Sequence, residues 1–173
     1  MDLKSQIREI PGFPKEGILF RDITTLLKNP EAFRYVVDAI SRRFEAEGIT
    51  KIVSLESRGF IVGGALAYQL GAGFVPIRKA GKLPSETHSV SYELEYGADS
   101  IEIHVDGLGR EDVVLIHDDL LATGGTALAA LELVRRTGVG KVFFSFICDL
   151  SFIQTPAKQQ IMACQPHILV HYQ

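Results

Sequence analysis

Cysteines are scarce in this chain, and those present form no recognisable pair. Only Cys148 and Cys164 occur among its 173 residues, at a separation that matches neither zinc sites nor redox-active disulfides. Both lie in apolar surroundings, where a reduced thiol packs as a small hydrophobic group. We therefore expect two unpaired core thiols and a cytoplasmic location, because disulfides persist mainly in oxidising compartments.

Targeting features are missing as well. Residues Met1–Lys4 contain no apolar core of the kind that a signal peptide has. The window 59–77 carries no charged residue and approaches the length of a membrane span, but a glutamine, a proline and several glycines interrupt it. It predicts a buried helix over 60–70 followed by a strand over 74–77, and so no membrane partner.

The chain also lacks an excess of positive charge. Its 18 lysines and arginines and 21 aspartates and glutamates leave a net charge of −3. This balance argues against a nucleic-acid partner or an anionic membrane surface. Cations that bind phosphate must therefore be local, and four of them lie near predicted strand ends: Arg58, Arg78, Lys79 and Lys82.

What the chain does contain is an alternation of strands and helices. Apolar runs predict strands over 51–55, 74–77, 113–117, 142–148 and 168–171. Caps and helical periodicity predict helices that begin at Pro30, Phe60, Thr126 and Gln154. This pattern predicts an α/β fold, with one open, mainly parallel twisted sheet flanked by helices.

Two stretches depart from the alternation. Leu3, Ile7 and Ile10 share one helical face, which predicts a short N-terminal helix. Apolar and polar residues alternate over 101–105 and can pair with 89–95 through a turn, which predicts a long hairpin. A hairpin inserted between two core strands is a candidate lid.

The most informative stretch covers residues 113–127 and reads VVLIHDDLLATGGTA. Its apolar run predicts a buried parallel strand, so Asp118 and Asp119 are expected at the carboxyl end, where ligands bind in open α/β sheets. The turn over 122–126 offers backbone N–H groups just before a helix begins, which favours anion binding. Carboxylates beside a phosphate site indicate a ligand with hydroxyls and a phosphate, such as a ribose 5-phosphate.

Two common phosphate motifs are excluded at this turn. A P-loop requires lysine after its last glycine, and here Thr126 follows Gly125. A dinucleotide fingerprint requires three spaced glycines, and here only two occur, side by side. An ordinary strand-to-helix turn capped by Thr126 remains as a structural alternative.

Five segments of the chain resemble one family. The string over 113–127 resembles the phosphoribosyl-diphosphate-binding motif of type I phosphoribosyltransferases. Four more segments resemble the adenine-using members of that family, in the same order: Phe13–Pro14 with Gly17–Thr24, Glu56–Phe60, Arg78–Pro84 and Leu94–Gly97. The match is weak beyond about residue 147, and His117 stands where that motif more often has an aliphatic residue.

The resemblance implies a fold and a reaction. It implies a single domain over 1–173, with a small N-terminal hood over about 1–30 and a flexible hairpin lid over about 78–109. It also implies purine salvage: the 5-phosphoribosyl group passes from 5-phospho-α-D-ribose 1-diphosphate to adenine, giving AMP and pyrophosphate. The implied cofactor is Mg²⁺, held mainly by the diphosphate, and the implied assembly is a homodimer.

Each segment has an implied role. The 5-phosphate would bind Ala122, Thr123, Gly124, Gly125 and Thr126, and the ribose would contact Asp118 and Asp119, which are also available to Mg²⁺. Pyrophosphate would bind Glu56, Ser57, Arg58, Arg78, Lys79 and Lys82, with a strained peptide bond after the acidic residue. Adenine would bind Leu19, Phe20 and Arg21, through the backbone of the first and third and the ring of the second.

Glu95 matches the proposed general acid/base of the family. A carboxylate near the imidazole ring of the base makes chemical sense, because attack by N9 requires a proton to be managed. Without the resemblance, a solvent-facing glutamate on an edge strand is the simpler interpretation. The residues alone therefore leave the role of Glu95 open.

Two alternative functions remain open on the sequence. A 6-oxopurine would require a donor such as lysine at the base edge, and Lys15 and Lys28 are near the adenine segment. A regulator that senses phosphoribosyl diphosphate could retain the same fold and bind nucleic acid. The acidic balance and the absence of an added DNA-binding domain argue against the regulator.

Overall fold

The computed structural model of the chain describes residues 1–93 and 97–173. After a single 3₁₀ turn at Lys4–Gln6, two strands pair into an antiparallel ribbon: β1 (Arg8–Pro11) and β2 (Leu19–Asp22). The expected N-terminal helix is thus wrong, because Ile10 lies in β1 and pairs with Phe20. Spacing alone correctly identified Leu3 and Ile7 as buried, but not their conformation.

The remaining elements follow the predicted alternation. The helices are α1 (Thr24–Leu27), α2 (Pro30–Phe44), α3 (Gly59–Leu70), α4 (Gly125–Arg136) and α5 (Pro156–Ala163). The strands are β3 (Lys51–Leu55), β4 (Gly73–Lys79), β5 (Thr87–Glu93), β6 (Ala98–His104), β7 (Val113–Leu121), β8 (Lys141–Leu150) and β9 (His167–Tyr172). At the start of α2, the Asn29 side chain accepts hydrogen bonds from the N–H groups of Glu31 and Ala32, as expected of an N-cap.

Seven strands form one sheet in the order β5-β6-β4-β3-β7-β8-β9. The five strands from β4 to β9 in this order are parallel, while β6 runs antiparallel to both β4 and β5. This arrangement confirms the predicted open, mainly parallel sheet. Because β3 and β7 are neighbours near the middle, the loops that follow them meet at the same edge.

Helices cover both faces of the sheet. One core cluster joins α4 and Ile161 of α5 to the sheet, and includes Val90, Ile101 and Ile103 of the hairpin. The second cluster joins α2 and α3 to the opposite face, together with Leu3 and Ile7. The predicted hairpin is confirmed in its described residues, and its strands are part of the core.

Strand β7 is longer than predicted. It continues past His117 to Leu121, so Asp118 and Asp119 lie within it rather than after it. Its neighbour β3 ends earlier, since the pairing of Ser54 with His117 is the last between them. Asp118 is therefore level with Leu55, the last residue of β3, and Asp119 lies beside the loop that follows it.

Within the described part of the chain, none of the helices combines the length and the apolar character that crossing a membrane requires.

Candidate active site

A cavity of about 440 Å³ opens where β3, β4 and β7 end. Eight residues predicted for the site line it: Glu56, Ser57, Arg58, Arg78, Lys79, Asp118, Asp119 and Thr126. They come from three strand ends that are far apart in sequence. The parallel sheet therefore brings together at one edge the site residues that were predicted from separate segments of the sequence.

Glu56 lies at the centre of the basic residues. The backbone N–H of Lys79 donates to its Oε2 at 2.9 Å, Arg78 Nε donates to the same oxygen at 3.3 Å, and Lys82 Nζ pairs with Oε1. Burial opposes ionisation, but the bonds from Lys82 and Lys79 and the charges of Lys82 and Arg78 hold the pKa of Glu56 below its ordinary value. This carboxylate organises the cations that surround it.

Asp119 forms the second link between the loops. Arg58 Nε donates to its Oδ2 at 2.6 Å, and the Asp119 side chain is 6% exposed. A charge-assisted bond of this length fixes the first turn of α3 to β7. Arg58 thus lines the cavity with its side chain 39% exposed.

Asp118 has less compensation than its neighbour. Its Oδ1 accepts the Asp119 N–H at 2.9 Å. Burial and the adjacent Asp119 carboxylate raise the pKa of Asp118 well above its ordinary value, and the Arg58 charge only partly opposes this. The pair therefore favours the approach of a positive charge or of hydroxyl donors.

Glycine is required where α3 approaches this pair. A Cβ atom on Gly59 would lie 2.8 Å from Asp118 Oδ1 and 3.2 Å from the carbonyl oxygen of His117. Any larger residue would push the helix away from β7. The peptide bond between Glu56 and Ser57, just before this helix, is cis.

The loop over 122–126 joins β7 to α4. Gly124, with φ of +82°, is the N-cap of α4, and no side-chain cap bond forms there among the described residues. The alternative in which Thr126 caps the helix is therefore wrong. Uncapped N–H groups in the first turn remain available to an anion.

The segment Leu19–Arg21, predicted to bind adenine, is connected to the cavity through Arg58. Its guanidinium carbon is 5.3 Å from the centroid of the Phe20 ring, and that ring packs edge-on against Phe13 at 5.1 Å. Leu19, Phe20 and Arg21 are not among the lining residues that the structure describes. Arg58 thus connects the carboxylate pair to the ribbon of β1 and β2.

Among the described strands, β2 pairs only with β1, which leaves its second edge free. The N–H of Gly12 donates to the carbonyl of Ile18 at 2.7 Å, across the ribbon. Because successive residues of a strand direct their backbone groups to opposite sides, those of Leu19 and Arg21 are directed away from β1. The side chain of Arg21 packs over the Tyr172 ring at 4.0 Å and pairs with Glu9.

Three hairpin residues that the sequence did not single out line the cavity: Tyr92, Asp99 and Ile101. Lys79 Nζ pairs with Asp99 Oδ2 at 3.0 Å, and that hydrogen bond raises the pKa of Lys79. The contact follows from the pairing of Lys79 with Ile101, two residues from Asp99, and the sequence did not predict that register.

Two further predicted residues have different outcomes. Glu95 lies outside the described residues. His117 is fully buried, and its Nδ1 is 2.9 Å from Ser145 Oγ, which confirms a hydrogen-bonded core histidine. Burial lowers the pKa of His117 to about 3, so the ring is neutral near pH 7 and contributes no charge beside Asp118.

Comparisons with known proteins give a consistent result. Residues 22–151 match the model of the phosphoribosyl transferase domain. The adenine phosphoribosyltransferase of Acaryochloris marina is 53% identical over 172 residues, which cover 99% of this chain and 100% of that protein. The enzyme of the same name from a Synechococcus species is 57% identical over 150 residues, which cover 87% of this chain and 88% of that protein.

Solved structures agree with the sequence comparisons. The adenine phosphoribosyltransferase of Rhodothermus marinus superposes with a TM-score of 0.91 at 48% identity, covering 98% of this chain and 96% of that one. The Saccharomyces cerevisiae enzyme, solved with adenine and an imino-altritol bisphosphate, gives a TM-score of 0.88 at 40% identity, with coverage of 98% and 96%.

Proposed function

The chain belongs to the phosphoribosyl transferase family, and we propose that it transfers the 5-phosphoribosyl group of 5-phospho-α-D-ribose 1-diphosphate to adenine. The products are AMP and pyrophosphate, so the reaction is a pentosyl transfer in purine salvage. The observation that carries this proposal is the cavity where a carboxylate pair, a basic cluster and an uncapped helix start meet. The 6-oxopurine and regulator alternatives are not favoured, because the relatives are named for adenine.

The phosphoribosyl group is held at two neighbouring places. Its 5-phosphate accepts hydrogen bonds from the loop over 122–126 and the first turn of α4. The ribose hydroxyls donate to Asp118 and Asp119. Positive charge develops on the ribosyl ring as the bond to pyrophosphate breaks, and these carboxylates stabilise it.

The leaving pyrophosphate binds Arg58, Arg78, Lys79 and Lys82 beside the loop at Ser57. Glu56 acts indirectly, because a carboxylate has no proton to donate to a phosphate oxygen at neutral pH. It instead holds Arg78, Lys82 and the N–H of Lys79 in place through its hydrogen bonds. The cluster is therefore arranged before the substrate arrives.

Mg²⁺ fits this arrangement as an ion held mainly by the diphosphate. No group of three or more His, Cys, Asp or Glu side chains placed to hold a metal occurs in the described ranges 1–93 and 97–173. The incompletely compensated pair Asp118 and Asp119 has the oxygen ligands that the ion prefers. When bound, the ion would neutralise charge on the leaving group.

Adenine is recognised by the free edge of β2. Its 6-amino group donates to a backbone carbonyl and its N1 accepts a backbone N–H, from Leu19 and Arg21. Phe20 supplies an aromatic surface beside Arg58. Glu95 is proposed as the general acid/base, since it lies in sequence between Tyr92 and Asp99, which line the cavity.

We propose a cytoplasmic homodimer. Ile61 and Tyr68 on α3 and Phe74 on β4 are exposed, and Tyr68 is 89% exposed. Large aromatic side chains are enriched in protein–protein interfaces. The cytoplasmic location is supported by two unpaired cysteines, of which only Cys148 is buried; the expectation that Cys164 lies in the core is wrong. The hood over 1–30 and the lid over 78–109 belong to the same proposal.

The test is pyrophosphate release from 5-phosphoribosyl 1-diphosphate and Mg²⁺, with adenine, guanine, hypoxanthine and xanthine supplied separately. Release with adenine alone is expected. Release with another base would retain the chemistry but refute the roles of Leu19 and Arg21. No release with any base, despite binding of the diphosphate, would favour the regulator.

A further inference from the structure

Helix α5 lies directly behind the loop proposed to bind the 5-phosphate. Thr155 Oγ1 donates to the carbonyl oxygen of Thr123 at 2.5 Å and accepts the N–H of Lys158 at 3.0 Å. One hydroxyl thus caps α5 and holds the loop. Thr155 lies in the C-terminal part of the chain, where the family resemblance is weakest.

The loop and α5 also touch through their backbones. A Cβ atom on Gly124 would lie 2.7 Å from both the N and Cα atoms of Lys158. Only glycine permits this approach, and its φ of +82° is also one that other residues rarely adopt. The first turn of α5 therefore forms a wall against the loop.

A buried ion pair anchors α5 to the sheet. Lys158 Nζ is 2.6 Å from Asp149 Oδ1, both side chains are 3% exposed, and the same nitrogen donates to the carbonyl of Leu150 at 2.5 Å. Asp149 lies on β8 and pairs with Leu121, the last residue of β7. The support is thus fixed to the two strands that lead to the site.

The hydrogen bond from Thr155 has a geometric consequence. The peptide joining Thr123 to Gly124 is trans, so the Thr123 carbonyl and the Gly124 N–H point in opposite directions. When the carbonyl faces Thr155, the N–H faces away from α5. Thr126, two residues further along, lines the cavity, and no described residue of α5 does.

We propose that Thr155 is a positioning residue that sets the orientation of the Thr123–Gly124 peptide, and so the affinity of the site for the 5-phosphate. This inference rests on the proposed function of the loop over 122–126. Without the hydroxyl, the peptide is free to rotate and present its carbonyl oxygen to the anion. Phosphate binding then weakens, while the chemical step is unaffected, because the 5-phosphate is bound alike before and during the reaction.

The test compares Thr155→Val, which retains the shape of the side chain but has no hydroxyl, with Thr155→Ser, which retains the hydroxyl. For Val we expect KM for phosphoribosyl diphosphate to rise about fivefold, with kcat and KM for adenine within about twofold. Ser restores the wild-type values. Calorimetric binding of ribose 5-phosphate should weaken by a similar factor in the Val variant.

A second variant separates positioning from a general loss of stability. Thr50→Val removes a hydroxyl that donates to Asp112 and accepts the N–H of Val113 away from the site, so it lowers the melting temperature without changing either KM. A wild-type KM and ribose 5-phosphate affinity in Thr155→Val would overturn the inference. So would equal rises in the KM of both substrates, or the same changes in Thr50→Val.

A failure of the proposed function would give a different result from a failure of the role of Thr155. If the wild-type protein transfers nothing to any base, the enzyme assignment fails. Ribose 5-phosphate binding by the wild-type, Val and Ser proteins still tests the role of Thr155 on its own.

Discussion

The two loops that follow β3 and β7, both proposed as anion sites, lie at one edge of the sheet, but they are built differently. The loop at 56–59 is held by charged side chains, with Glu56 bound to the basic cluster and Arg58 bound to Asp119. The loop at 122–126 is held by backbone geometry, with Gly124 against α5. Ligand binding at the first loop should therefore depend on charge and on salt concentration. Binding at the second loop should instead be sensitive to any atom added at Gly124.

The strongest test of this difference removes the anchor behind the second loop. Lys158→Met leaves Asp149 buried without its cation, and we expect the free energy of unfolding to fall by about 3–5 kcal/mol. Urea denaturation measures the loss. The matched control is Lys141→Met, whose exposed pair with Glu47 is screened by solvent, so its loss should leave the free energy of unfolding nearly unchanged. Equal losses of unfolding free energy in Lys158→Met and Lys141→Met would contradict a structural role for the buried ion pair behind the second loop.

The second largest effect is expected from adding a methyl group to the loop at 122–126. Gly124→Ala introduces a Cβ 2.7 Å from α5 at a positive φ, so we expect a loss of about 2–3 kcal/mol in stability and a higher KM for phosphoribosyl diphosphate. Gly64→Ala is the control, because nothing lies within 4 Å of its Cβ position in α3. That change should leave KM unaltered and stabilise the helix slightly. A wild-type KM in Gly124→Ala would refute the geometric account.

As the pH falls, protonation linked to buried His117 should lower the stability of the fold before Glu56 in the charged loop loses its charge. The pKa of His117 is about 3 when folded and about 6.5 when unfolded, so between these values the unfolded chain binds the extra proton and stability falls as pH falls. Glu56, whose pKa is lowered, stays ionised through pH 5. Relative to His117→Asn, the wild type should lose about 2 kcal/mol between pH 7 and pH 5.

The comparison with His117→Asn is needed because other groups titrate too. The raised pKa of Asp118 has the opposite sign: the folded state binds that proton, and stability rises as pH falls. Burial also lowers the pKa of His167. Both contributions are common to the two proteins and cancel in the difference, so a difference independent of pH would contradict the buried neutral state of His117.

The smallest expected effect concerns the charged loop. Lys82→Met removes one cation from the cluster at Glu56, and we expect pyrophosphate to bind about tenfold more weakly at low salt. The difference from wild type should shrink at high salt, because ions screen an exposed charge. Inhibition by pyrophosphate measures this, and the unfolding free energy should change by less than about 0.5 kcal/mol. A difference that does not depend on salt would refute a charge-based loop.

Much of the site could be predicted because its signals are local. The glycine-rich turn, the two carboxylates and the apolar run before them are contiguous, and they lie where the sequence placed them. The N-terminal helix failed for the opposite reason. The spacing of Leu3, Ile7 and Ile10 fits a helix, but pairing of β1 with β2 prevailed over it.

Other parts of the site depend on contacts between distant segments. No pattern around Thr155 indicated its bond to Thr123, because an isolated threonine before a proline reads as a helix cap and nothing more. Asp99 was likewise invisible as a partner of Lys79 until the hairpin register was fixed. Both contacts depend on which strands and helices are neighbours in the folded chain.

The sequence by itself determined the alternation of strands and helices, the glycine-rich turn before α4 and the positions of the charged motifs, since periodicity, caps and glycines act over a few residues. Only the tertiary structure decided that Arg58 meets Asp119, that Asp99 meets Lys79 and that α5 supports Gly124. Those contacts join residues far apart in the chain. They are set by strand order and register, which local propensity does not encode.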